Sequence, residues 1–141
     1  MKKQVLNLFF FLGFSLQAAK LKQVFPSGDI IWGVDFLSDK LLIYTLKKGD
    51  IYLFDLEKNK KIKLYHQIPS VVKGQGGLLD IKVFDHRKKE VFITYAKKQG
   101  SFFETALSRA HLKDNKRLVH REIFVSKTRS RTGYHFGSRV V

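Results

Sequence analysis

From residue 30 onward the chain is a succession of short apolar runs with a period of two, broken by polar turns. Ile30 to Leu37 is apolar around a Trp32-Gly33 pair, and Lys40 to Leu46 carries Leu41, Leu42, Ile43 and Tyr44. Lys48-Gly49-Asp50 reads as a tight hairpin turn, glycine supplying the backbone angles other residues avoid. Asp50 to Leu56 then alternates, with Ile51, Leu53 and Asp55 on one face and Tyr52, Phe54 and Leu56 on the other. After a second turn at Glu57-Lys58-Asn59-Lys60, Lys61 to His66 alternates again, Ile62, Leu64 and His66 lying opposite Lys63 and Tyr65. Period two with regularly spaced turns predicts an antiparallel meander. Four such strands, about residues 30–66, make one blade of a propeller.

The cycle repeats over about residues 78–125. Leu78 to Phe84 is apolar on nearly both faces, as an inner strand would be. Glu90 to Ala96 follows a charged turn. Ser101 to Leu112 alternates, with polar residues Glu104 and Ser108 that could face solvent, and Leu118 to Val125 completes the second meander. Phe136 to Val141 reads as the opening strand of a third. No segment past the first residues has sustained helical periodicity, so the mature chain is expected to be all-β.

The first residues follow a different rule. Lys2 and Lys3, an apolar run from Val5 to Leu16, and the small Ala18 and Ala19 form the three parts of a secretory signal over residues 1–19. The apolar run is shorter than the roughly 20 residues that span a bilayer, so a cleaved signal helix is expected rather than a stable membrane span. Export would place the chain in the periplasm or outside the cell. The absence of cysteine is compatible with export and excludes thiol catalysis and thiolate metal sites.

A hydrophobic content of 44% and an aromatic content of 13% are those of a folded chain. The net charge of +15 invites a nucleic-acid reading. However, the basic residues are dispersed at Lys47–Lys48, Lys58–Lys63, Arg87–Lys89 and Lys97–Lys98, where turns are expected. We read them as solvated turn residues, with no nucleic-acid partner.

Two glycine-rich turns carry the chemistry. Gly74-Gln75-Gly76-Gly77-Leu78-Leu79-Asp80-Ile81 runs straight into an apolar strand, and so does Gly133-Tyr134-His135-Phe136-Gly137-Ser138-Arg139. A histidine between Gly133 and Gly137 suits a general base, because its ordinary pKa lies near neutrality, and it equally suits structural hydrogen bonding. As an ordered pair the two turns resemble those of the soluble, PQQ-dependent aldose sugar dehydrogenases, the glucose/sorbosone dehydrogenase family. Three further segments agree in order and spacing: Trp32 to Leu37, Val91 to Tyr95, and Thr105 to Ala110. The resemblance covers roughly Val24 onward. Two places depart from it. An acidic residue and arginine usual after the first hairpin are replaced by Leu46-Lys47-Lys48-Gly49, and a His-Pro-Asp-Phe turn is replaced by Asp85-His86-Arg87-Lys88-Lys89.

The resemblance implies a six-bladed β-propeller, of which this chain supplies about two blades, and an enzyme that oxidises the C1 hydroxyl of aldoses to lactones with hydride transfer to PQQ. It implies His135 as the catalytic base and Gln75 as a residue near substrate and cofactor. For Arg139 two roles stay open, pairing a PQQ carboxylate or a salt bridge to a neighbouring blade; its guanidinium suits either. The family's PQQ and calcium contacts lie mostly on later blades, so this chain is expected to be an inactive N-terminal fragment, unless a partner chain supplies the missing blades. The rival reading is a non-catalytic exported binding fragment, or the product of an interrupted gene. Asp35 and Asp80 are read as structural carboxylates bonding backbone amides. His66, His86, His111 and His120 show no metal-ligand spacing and receive no role.

Overall fold

Eight strands follow one another along the described residues, each pairing antiparallel with its sequence neighbours within its own sheet. In the computed structural model, which describes residues 23–24 and 27–141, they are β1 (Ile31–Ser38), β2 (Leu41–Leu46), β3 (Ile51–Asp55), β4 (Lys60–Leu64), β5 (Leu78–Asp85), β6 (Glu90–Gln99), β7 (Phe102–Lys113) and β8 (Arg117–Val125). They form two sheets, ordered β1-β2-β3-β4 and β5-β6-β7-β8, as the two predicted meanders require. The proposed signal over residues 1–19 lies outside the described residues. Among the described residues there is no helix, and none long and apolar enough to cross a membrane.

Alternation sorts each strand into two faces. Ile51 and Leu53 of β3 join Ile43, Leu64, Ile81, Ile93, Tyr95 and Ala106 in one core between the two sheets. The opposite face of the first sheet gathers Leu42, Tyr44, Leu46 and Phe54 into a second cluster, with Tyr44 stacked on Tyr52 at 5.5 Å between ring centroids. The blades therefore pack face to face through alternate residues of their strands.

Polar staples reinforce that contact and recur from blade to blade. The buried Thr45 hydroxyl on β2 accepts from Gly33 N–H of its own blade (3.0 Å) and donates to the Leu79 carbonyl of the next (2.6 Å). Thr94 on β6 repeats the arrangement, accepting from Asp80 N–H (2.9 Å) and donating to the Ser138 carbonyl (2.7 Å). Asp35 on β1 accepts from Val83 N–H on β5 (2.8 Å), and Asp80 on β5 accepts from Val140 N–H (2.9 Å). The reading of both aspartates as amide acceptors is thereby met. Burial raises the Asp35 carboxyl pKa, but the Val83 and Phe36 amides and the Lys82 ammonium outweigh it and hold the group below the usual carboxylate range. Phe136 to Val141 has no strand assignment, yet the second Thr-and-Asp pair holds it where β5 sits relative to the first blade.

Two expectations need correction. Glu104 and Ser108 are buried, at 5% and 0% exposure, because they share the face of β7 that carries Ala106, Ala110 and Leu112 into the core. Glu104 is satisfied by Arg129 (3.0 Å), and Ser108 by the Tyr95 hydroxyl and His120 Nδ1. Tyr95 in turn donates to Glu122 (2.6 Å); burial, then that carboxylate, pushes the phenol pKa up to about 12. The basic clusters are also not confined to turns. Lys60, Lys61 and Lys63 lie on β4, the outermost strand of its sheet, where charge blunts an edge open to strand addition, and Lys97 and Lys98 lie on β6.

Candidate active site

The inner strands β1 and β5 start at the same end of the two blades, and the β2–β3 hairpin closes there as well. Three loops consequently meet at that end: the hairpin around Lys47, the turn around Gln75 ahead of β5, and the turn around His135. Sequence alone named the second and third. The structure brings them into direct contact.

The contact is built largely from backbone. Gln75 N–H donates to the Gly133 carbonyl (2.9 Å), and His135 N–H donates to Gln75 Oε1 (3.1 Å). Gly133 adopts φ +78°, and a Cβ there would meet the Lys73 carbonyl at 2.7 Å. Gly77 is held tighter still, since a Cβ would stand 2.2 Å from the Lys47 carbonyl. These approaches are open only to glycine. Phe136 covers the turn from the far side, its ring edge against Gly76.

His135 is exposed and adopts φ +65°. Beside it opens a cavity of about 560 Å³ lined by Phe103, Phe124, Arg129, Arg131 and Tyr134 among others. Both arginines lie over the Phe102 ring, 5.6 and 4.9 Å from its centroid. Gln75 is exposed too, and its Nε2 makes no hydrogen bond among the described residues. Arg139 lies four residues beyond His135, exposed and without an ion pair among the described residues. The arrangement offers an imidazole, an amide donor and a free guanidinium at or near one end of the blades. It offers no group of three His, Cys, Asp or Glu side chains able to hold a metal ion, again among the described residues.

Sequence reasoning missed Lys47. Its ammonium donates to the Gly74 carbonyl (2.7 Å), and its own carbonyl accepts from Leu78 N–H (3.3 Å), so the first blade grips the Gln75 turn from both sides. Only the topology shows this, because nothing in Leu46-Lys47-Lys48-Gly49 marks it as more than a hairpin.

Comparison with known proteins agrees with the two-blade fold. A soluble aldose sugar dehydrogenase from Escherichia coli superposes with a TM-score of 0.72 at 27% identity, covering 80% of this chain and 34% of that one. A glucose dehydrogenase superposes with a TM-score of 0.73 at 25% identity, over 79% of this chain and 36% of that one. The PQQ-bound form of an aldose sugar dehydrogenase from Streptomyces coelicolor, at 20% identity and a TM-score of 0.63, shares the fold over 75% of this chain and 33% of its own. The chain thus spans about a third of the length of the structures it matches. No curated protein sequence matches it. The family model for glucose/sorbosone dehydrogenase matches residues 28–141, nearly all that the structure describes, and the chain belongs to that family.

Proposed function

We propose that this chain is the N-terminal part of an exported, PQQ-dependent sugar dehydrogenase that oxidises the C1 hydroxyl of aldoses to lactones, and that it contributes the catalytic base. The observation that carries the proposal is the joining of the Gln75 and His135 turns, 60 residues apart, by reciprocal hydrogen bonds at one end of two blades. In this reading His135 accepts the proton of the C1 hydroxyl, which requires a neutral imidazole within reach of the substrate, and the residue is exposed and lines a cavity.

The donors present fit PQQ in part. A quinone bearing carboxylates asks for amide donors and guanidinium groups, which the unengaged Gln75 Nε2 and Arg139 supply. Bound PQQ would supply the acceptor for the hydride leaving C1. Among the described residues no three acidic or imidazole side chains gather where calcium could sit. Metal ligands and most of the cofactor pocket would then come from further blades, on the same polypeptide or on a partner. The exposed Val34 and Phe36 on the first blade, and Phe84 and Phe124 on the second, are apolar surface of the kind such blades would cover.

A chimera tests the proposal. Residues 28–141 replace the corresponding third of the E. coli aldose sugar dehydrogenase, and aldose oxidation is assayed with PQQ, calcium and an artificial acceptor. The chimera should turn over, and His135→Ala should lower kcat by about 10²- to 10⁴-fold, the usual worth of general-base catalysis. A folded, PQQ-binding chimera indifferent to His135→Ala would refute the assignment.

A further inference from the structure

We propose that Gln75 is a positioning residue for His135: its side-chain carbonyl, rather than its amide nitrogen, holds the backbone turn that presents the imidazole. This rests on the reading of His135 as the base, but the geometry behind it is independent of that reading.

Five non-glycine residues among those described have positive φ. Asn59, Lys89, Asp114 and Asn115 lie in hairpin turns between paired strands, at the end of the blades away from the site, where the turn itself demands the left-handed conformation. His135, at φ +65°, lies in no such hairpin. Histidine enters this sparsely populated region more readily than most side chains, yet outside a turn that demands it the conformation persists only where its surroundings fix it. Here the fixing bond is His135 N–H to Gln75 Oε1 at 3.1 Å, and it comes from the other glycine-rich turn. Gln75 cannot swing away freely. Its own N–H is held by the Gly133 carbonyl, two residues ahead of His135, and the preceding Gly74 carbonyl is held by Lys47 Nζ. Oε1 is therefore placed by a chain of contacts running back to the first blade, and Nε2 is left to meet a ligand.

Amide hydrogen exchange on the ¹⁵N-labelled 141-residue chain separates the two ends of the Gln75 side chain. Gln75→Met keeps the length and removes the acceptor. Gln75→Glu keeps the acceptor and gives up the amide donors. In Gln75→Met the His135 amide should exchange at least tenfold faster, and its ³J coupling should leave the left-handed value, while core amides such as Tyr95 and Ala106 keep their rates. Gln75→Glu should restore the His135 rate. An unchanged His135 amide in Gln75→Met would overturn the inference. So would uniform acceleration of all amides that Gln75→Glu does not reverse, which would mean a general folding role. Failure here is distinct from failure of the base assignment, because exchange reads the turn without any turnover.

Discussion

Thr45→Val tests the inter-blade staple with almost no change of shape. The Thr45 side chain is fully buried, and its hydroxyl serves two backbone groups at once: Gly33 N–H at 3.0 Å and the Leu79 carbonyl at 2.6 Å. Valine fills the same volume but satisfies neither. A buried polar group left unpaired costs about 1–3 kcal/mol, and a carbonyl tolerates the loss better than an N–H, so the two together should cost about 2–4 kcal/mol. With a urea m-value of about 2 kcal/mol/M for a domain of this size, the unfolding midpoint should fall by about 1–2 M with m unchanged. Thr45→Ser separates hydroxyl from methyl, since it keeps both bonds and loses only a methyl group worth about 1 kcal/mol. Equilibrium urea unfolding followed by far-UV circular dichroism reads all three proteins. A Thr45→Val loss below about 0.5 kcal/mol, or a Thr45→Ser loss equal to it, would refute the claim that this hydroxyl joins the blades.

Three further outcomes follow from particular residues. His66 Nε2–H donates to the Gly49 carbonyl (2.9 Å) while Nδ1 accepts from Ile68 N–H (3.3 Å), and burial, the largest influence, pushes its pKa below the ordinary 6.5. The unfolded chain therefore takes up a proton first, so stability should be full above about pH 6.5 and decline as pH falls through the lowered folded value; His66→Gln should flatten that limb of a denaturation series run from pH 8 to 5. Gly77→Ala drives a methyl onto the Lys47 carbonyl and should cost about 1–3 kcal/mol, with the largest chemical-shift changes in the Lys47, Gln75 and His135 turns rather than in β7 and β8. Mass spectrometry of the exported protein should find an N-terminus at or near Lys20; an intact Met1 in a soluble cytoplasmic protein would contradict the signal reading.

The strands were legible because their information is local. Alternation in Asp50–Leu56 placed Ile51 and Leu53 on one face and Tyr52 and Phe54 on the other, and the two core clusters divide them in the same way. The Gln75 and His135 turns were legible because the two glycine-rich turns, taken as an ordered pair, resemble those of one family. Glu104 and Ser108 were misjudged because alternation says which residues share a face, not which face is covered. Ser108 tolerates burial because the hydroxyl of Tyr95 and the ring of His120 satisfy it, a fact of packing rather than of spacing. The staples escaped notice because Thr45 and Leu79, or Thr94 and Ser138, are 34 and 44 residues apart, with no local signature. Lys47 was visible only as a departure from the family pattern. Its grip on Gly74 depends on the β2–β3 hairpin closing at the same end as the glycine-rich turns.

At the centre of the proposal, the chain would carry the base and its supporting turns, while the acceptor site and metal ligands would lie on other blades. The most direct test is a dehydrogenase assay of the purified 141-residue chain with PQQ, calcium, glucose and an artificial electron acceptor. No turnover is expected, because a base worth about 10²- to 10⁴-fold cannot replace a missing hydride acceptor site. Glucose oxidation by the chain alone, abolished by His135→Ala, would show that two blades are an enzyme in their own right and would contradict the account.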